Sequence, residues 1–300
     1  MKRVLITIIA VIFVTLFIPL IIVSFLSGTN EQKPVISVYV KADDRVEEME
    51  IDKYLAGVVA AEMPADFEKE ALKAQAVAAR TYLYSHISEA EKGNIAESHN
   101  GAVICTDSTH CQAWTKDAQK KIRQAVKDTK NQIITYNGEP ISAVFHSTSS
   151  GRTESAADVW GAEVPYLQGV DSPGDIHSPK YISEVQISTE DFKKVISENI
   201  GEINWDNNLF GNIIRSQSGG IKTIDVGDHT IKGTELRRFL DLKSTNAELE
   251  EKEGNILIKV KGYGHGVGMS QYGANYFARE GMSYEEILKA YYTGVDIIEK

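Results

Sequence analysis

Positive charge is in short supply along these 300 residues: 32 lysines and arginines face 42 aspartates and glutamates, a net charge of −10. That balance argues against a general nucleic-acid binder, and it makes the few clustered cations more noticeable. Long low-complexity tracts and internal repeats are missing too, so an ordinary folded protein of one or two domains with a sizeable core is expected. There is no Gly-x-Ser-x-Gly elbow of the kind a serine hydrolase uses. The glycine-rich run at 262–268 lacks both the Gly-Lys-Ser/Thr ending of a phosphate loop and the spacing of a dinucleotide fingerprint. Its glycines suit close backbone approach to a ligand or to another loop.

Charge is also absent from residues 4–25, a mostly aliphatic run preceded by Lys2 and Arg3. The run is long enough to cross a bilayer, and its exit toward Gly28 has no A-x-A cleavage pattern. We expect an uncleaved single-pass anchor within residues 1–28, with cleavage after Ser27 as the alternative. The two basic residues favour a cytoplasmic N-terminus, so that everything beyond the polar tether 29–34 lies outside the cytoplasm.

From residue 35 the pattern alternates between strand and helix. Residues 35–40 read as a strand, 43–50 as an acidic turn and 51–62 as a helix. A second helix is expected from an N-cap at Asp66 to about Ile87; it is apolar on most sides, which marks a buried helix. A third covers 117–129. Strands at 132–136 and 141–145 flank an Asn137-Gly138 hairpin signal. Between 181 and 250, short strands (182–187, 220–226) alternate with helical stretches (189–200, 234–240), as an inserted subdomain would. A strand at 256–260 leads into the glycine run, and a helix at 283–292 closes the chain. The expected fold class is α+β: a helical core with a mixed sheet and an inserted smaller α/β subdomain, preceded by one transmembrane helix.

Glu62 stands out within this frame. At about 100° per residue, Ile51, Leu55, Val58 and Glu62 fall within roughly 60° of one another, so a carboxylate ends an apolar stripe. Met63-Pro64 then stops the helix, because proline disfavours the helical conformation of the residue before it. Desolvation there would raise the carboxyl pKa and keep it protonated, as a general acid requires; the plain alternative is a solvated helix-end glutamate. On the second helix, Lys73 and Arg80 stack about 10 Å apart along one seam. His99, Cys105, His110 and Cys111 could hold a structural tetrahedral Zn²⁺ with no open position, or the two cysteines could form a disulfide. Within the loop 146–155, residues 146–152 bring His146, four hydroxyl residues and Arg152 together, with Trp160 and Tyr166 nearby to stack on a sugar ring; it could equally be a polar surface loop. His265 is either a site residue or a satisfied structural histidine.

Three long motifs add up to a resemblance. They are Ala61-Glu62-Met63-Pro64 followed by Glu70-Ala71-Leu72-Lys73 and Arg80-Thr81; Tyr166 to Asp175 with its Ser172-Pro173-Gly174-Asp175 end; and Gly264-His265-Gly266-Val267-Gly268-Met269-Ser270-Gln271-Tyr272-Gly273. In order, and over residues 35–300, they strongly resemble the stage II sporulation protein D family. The resemblance implies a peptidoglycan lytic transglycosylase of forespore engulfment, acting on glycan strands already stripped of stem peptides and leaving 1,6-anhydro-MurNAc ends. Its partners would be the amidase that strips the strands and a membrane scaffold protein, and its site the septal or engulfing cell wall. Glu62 falls on the family's catalytic position. Lys73, Arg80, Tyr166 and Asp175 fall on positions tied to glycan binding or activity, and His146, His265 and Gln271 join them as expected substrate-binding residues. Gln168 departs from a common lysine. The resemblance also favours zinc at His99, Cys105, His110 and Cys111. Two other classes stay open: a non-catalytic glycan-binding enhancer of an amidase, and a zinc amidase, which the four-ligand set disfavours.

Overall fold

Helix α1 (Ile51–Glu62) forms where the apolar stripe was read, and Ile51, Leu55 and Val58 are buried along it. Met63 turns extended (φ −121°, ψ 138°) ahead of Pro64 and ends it. These and the following elements belong to a computed structural model that describes residue 13, residues 34–205 and residues 209–300. The anchor expected at residues 4–25 lies outside the described residues. Among the described residues no helix is long and apolar enough to cross a membrane.

Helix α2 (Lys69–Glu91) is the axis of the main core. Its buried alanines at 71, 74, 76, 78 and 79 leave a thin surface on several sides, so neighbours approach closely: α1, α3 (Lys120–Asp128), α7 (Gln271–Arg279) and α8 (Tyr284–Tyr291) all pack on it. It begins later than expected, because Asp66 lies in a turn rather than at the cap. The Glu68 N–H is satisfied from a distance by the Asn275 side chain, 2.7 Å away.

Three small sheets edge this core. In the first, Val35–Val40 lies between Arg45–Glu50 and Ile104–Cys105. Residues 45–50, read as an acidic turn, are thus an edge strand; their side chains are mostly exposed, and only Met49 is buried, so the hydrophobic alternation that signals a strand is weak. The parallel pairing of Tyr39 with Cys105 sets the height of that cysteine. In the second, Gln132–Tyr136 and Glu139–Pro140 close a two-residue hairpin, with Asn137 and Gly138 both left-handed (φ 53° and 85°) as a type I′ turn demands. The third pairs Phe145–His146 with Met269–Ser270 in parallel, so the second expected strand of that region is shorter and later than the 141–145 read from sequence.

A second hydrophobic core draws on residues 192–260, with Phe192, Ile196, Ile224, Leu236, Ile256 and Ile258 at its centre. The helix α5 (Thr189–Ile200) and α6 (Gly233–Phe239) cover two three-stranded antiparallel sheets there. The short α4 (Ala156–Trp160) starts at Ser155, whose hydroxyl accepts from the Asp158 N–H. The glycine run resolves its own alternative: it approaches another loop. A side chain at Gly264 would fall 2.7 Å from the His146 Cβ, and one at Gly268 would fall 2.1 Å from the Val144 carbonyl oxygen.

Candidate active site and metal centre

The Glu62 carboxyl ends α1 partly buried and held from two directions. Its Oε1 accepts the Ala113 backbone N–H at 3.1 Å, and its Oε2 accepts from Gln271 Nε2 at 3.0 Å. Gln271 is itself buried at the first position of α7, so two elements 209 residues apart converge on one carboxyl. Desolvation raises its pKa above the ordinary glutamate value, opposed by the hydrogen bonds from Gln271 and Ala113 and by the Lys180 ammonium.

The Ala113 contact depends on a glycine inside α1. Glycine in a helix interior costs stability, but a Cβ at Gly57 would lie 2.2 Å from Trp114 Nε1 and 2.5 Å from the Thr115 carbonyl. Only glycine admits residues 112–115 against the helix, where the Thr115 N–H donates to the Gly57 carbonyl. A cavity of about 480 Å³ opens beside Pro64, two residues beyond Glu62. Phe67, Tyr272, Tyr276, Ser178 and Pro179 line it, with Phe67 and Tyr272 edge to face at 5.0 Å. Its size suits one or two sugar rings.

His99, Cys105, His110 and Cys111 come together as the sequence suggested. Their donor atoms all lie within 4.8 Å of one another, and both cysteines are free thiols rather than a disulfide. His99 Nε2 is 3.0 Å from His110 Nδ1 and 3.3 Å from Cys111 Sγ; His110 Nδ1 is 3.6 Å from each sulfur. A tetrahedral ion with ligand bonds of roughly 2.0–2.3 Å would separate its ligands by about 3.3–3.8 Å. The donors fit such an ion. Burial pushes the Cys111 thiol well up when no cation is near, so thiolates here need a positive partner. Cys111 immediately precedes the Gln112–Ala113 segment that holds Glu62.

Several expected substrate contacts are spent inside the protein. Arg80 is buried, and its guanidinium donates to the carbonyls of Thr129 (2.7 Å), Val126 (3.0 Å) and Gln132 (3.3 Å), which ties the end of α3 to the following strand. Burial pushes its pKa down to about 10, which still leaves it charged. Asp175 is buried too, accepting from the hydroxyls of Ser149 and Ser270. It locks three loops together and faces no solvent. His146 donates from Nδ1 to the Val267 carbonyl. His265 accepts the Val267 N–H at Nδ1 and donates from Nε2 to the Phe145 carbonyl. Burial lowers their pKa values to about 3 and about 4, so both are neutral near pH 7 and neither is the proton donor. Tyr166 accepts the Ser142 N–H with its hydroxyl and packs its half-buried ring on Tyr136. Lys73 is paired with Glu70 at 2.8 Å and lies over Tyr284. Of the expected set, only Gln271 touches Glu62. The Ala113 N–H was invisible to side-chain motifs; the one hint was a glycine in the middle of α1.

The partly buried Glu62 carboxyl thus lies two residues from the cavity wall at Pro64, and the segment that holds it follows directly on the Cys₂His₂ cluster. A family model described as "Stage II sporulation protein" matches residues 39–136. The chain is 39% identical over 282 residues to the Stage II sporulation protein D of Bacillus amyloliquefaciens, spanning 90% of this chain and 81% of that one. Against the same-named protein of Bacillus subtilis (strain 168) it is 37% identical over 281 residues, with the same coverage. It is also 28% identical over 296 residues to the Amidase enhancer of Bacillus subtilis (strain 168), spanning 81% of this chain and 40% of that protein. The chain belongs to the stage II sporulation protein D family, proteins of sporulation.

Proposed function

We propose that this protein is a peptidoglycan lytic transglycosylase that cuts MurNAc–GlcNAc bonds of denuded glycan strands with Glu62 as its single acid–base residue. The observation that supports this reading best is the Glu62 carboxyl itself, desolvated at a helix end and hydrogen-bonded to an amide. Protonated Glu62 donates to the glycosidic oxygen while the MurNAc C1–O bond breaks and positive charge develops at C1. The resulting carboxylate then takes the proton of the MurNAc C6 hydroxyl as O6 bonds to C1. The products are a 1,6-anhydro-MurNAc end and a free GlcNAc 4-hydroxyl; no water is consumed, and Glu62 regains its proton.

Gln271 suits both halves of that cycle. Its NH₂ donates to the carboxylate, and a 180° turn of the amide presents the oxygen as acceptor for the carboxylic acid O–H. Ordinary glycosidases use a second carboxyl group; in this mechanism the substrate's own C6 hydroxyl replaces it.

The four-donor Cys/His site would hold Zn²⁺ through His99, Cys105, His110 and Cys111. As a closed site it would supply a cross-link that stiffens the segment carrying Ala113. We further propose that the domain works outside the cytoplasm, anchored by residues 4–25 to the membrane facing the septal or engulfing wall, beside an amidase and a membrane scaffold protein of the engulfment machinery.

The Amidase enhancer relative supports a second reading, in which the cavity binds glycan and recruits an amidase without cutting. Mass spectrometry of denuded glycan incubated with the full chain separates the two. Anhydro-MurNAc ends that vanish in Glu62→Gln, with thermal stability retained, support the lyase; no product from the unsubstituted chain supports the enhancer.

A further inference from the structure

The cations first expected to face the glycan have partners within the protein: the Arg80 guanidinium donates to backbone carbonyls and Lys73 pairs with Glu70. Another pair of ammonium groups sits in the open. Lys180 is exposed and makes no ion pair among the described residues; its Nζ lies 5.2 Å from the centre of the Tyr263 ring. Lys243 approaches the same ring at 5.8 Å, with only a long contact to the exposed Asp241. Tyr263 remains 36% exposed, so the group is accessible.

The backbone around this group is tightly tied. Tyr263 and Thr148 exchange both backbone hydrogen bonds (2.7 and 3.0 Å), and the Thr148 hydroxyl meets that of Ser178 at 2.9 Å. The Ser178 oxygen also accepts the Lys180 N–H, the Gly262 N–H donates to the Tyr181 carbonyl, and the Gly264 N–H donates to that of Lys243. Four chain segments, at 148, 178–181, 243 and 262–264, thus hold two cations at one ring. Ser178 and Pro179 belong to the wall of the 480 Å³ cavity that reaches Pro64, and the Lys180 charge is felt at Glu62.

We propose that Lys180 and Lys243, gathered at Tyr263, form an anion subsite that receives the free lactyl carboxylate of a MurNAc unit bound at the cavity beside Glu62. The site rests on the glycan-binding reading above and adds to it the group that tells stripped strands from intact ones. When a stem peptide is attached, that carboxyl is an uncharged amide; when the peptide has been removed it is an anion. A cation pair rewards only the second. The reaction that supplies the substrate must therefore be hydrolysis of the lactyl amide.

The test measures binding rather than cleavage, so it stands even if the glycan is never cut. Full-length chain carrying Glu62→Gln is titrated with denuded strands and with the same strands after reduction of their carboxylates to alcohols. We expect about tenfold tighter binding to the carboxylate form, falling to a ratio near one when Lys180→Gln and Lys243→Gln are added, with affinity for reduced strands unchanged as the control for folding. The charge-keeping Lys180→Arg and Lys243→Arg pair retains the preference. A Gln pair that still prefers carboxylate strands overturns the proposal, as does a parent chain with no preference. Absence of anhydro ends alone would count against the lyase reading and leave this one standing.

Discussion

Replacing Gln271 with leucine isolates the one side chain, among the described residues, seen to hydrogen-bond to Glu62. The two residues are similar in volume and Gln271 is buried, so packing changes little while the 3.0 Å bond to Glu62 Oε2 is lost. A hydrogen bond to a charged group contributes about 1.5–3 kcal/mol. Glu62 is partly exposed, and water can replace part of the bond, so the low end applies: about tenfold in rate. The sign of the pH effect follows from the direction of the contact. Donation from Gln271 favours the carboxylate and holds the pKa below where burial alone would put it. Removing it raises the pKa, keeps the acid protonated to higher pH, and moves the falling alkaline limb of the rate profile upward. Release of anhydro-MurNAc ends, followed across pH, reads both quantities. A variant with the parental rate and an unmoved limb would refute the coupling of Gln271 to Glu62.

Glu62 itself binds more protons folded than unfolded, so its contribution to stability falls as pH rises from the ordinary glutamate value through its raised one. Glu62→Gln should therefore melt slightly higher than the parent at neutral pH and no differently in acid; calorimetry at two pH values decides. Arg80→Met leaves three carbonyls without their buried donor and should cost about 3 kcal/mol in chemical unfolding, while the preference for carboxylate-bearing glycan is kept. Asp66 is an exposed carboxylate lining the cavity. If the C6 hydroxyl replaces a second carboxyl group, Asp66→Asn turns over within about twofold of the parent, whereas a loss of the 10²–10⁴-fold expected for an acid–base residue would mean a two-carboxylate hydrolase. Elemental analysis should find one zinc per chain, and Cys105→Ser should lower both metal content and melting temperature; a full-strength melt without metal would remove the ion from the account.

Local pattern made much of the fold legible. The apolar stripe and Met63-Pro64 bounded α1, the Asn137-Gly138 pair marked a hairpin, and residues 189–200 delimited a helix to the residue. Where local signals were weak the reading failed. The strand Arg45–Glu50 has only Met49 buried, and α7 opens immediately after a glycine run and carries Gly273, so neither announces itself. Several residues expected to contact glycan are engaged inside the protein, for one shared reason. A basic, acidic or imidazole side chain inside a motif has the same chemistry whether it faces a ligand or satisfies buried backbone, and for Arg80, Asp175, His146 and His265 the second use holds.

Composition, hydrophobic period and motif were enough to mark a mixed α+β chain, to single out Glu62 at the end of its stripe, and to group the two cysteines with two histidines, because each of these depends on neighbours within a few tens of residues. Only the tertiary structure decided what surrounds Glu62. Gln271 and the Ala113 N–H arrive from distant parts of the chain, the latter admitted by the missing side chain of Gly57. Burial, which turns a carboxylate into a candidate acid and Arg80 into a strut, comes from packing between segments that no local pattern connects.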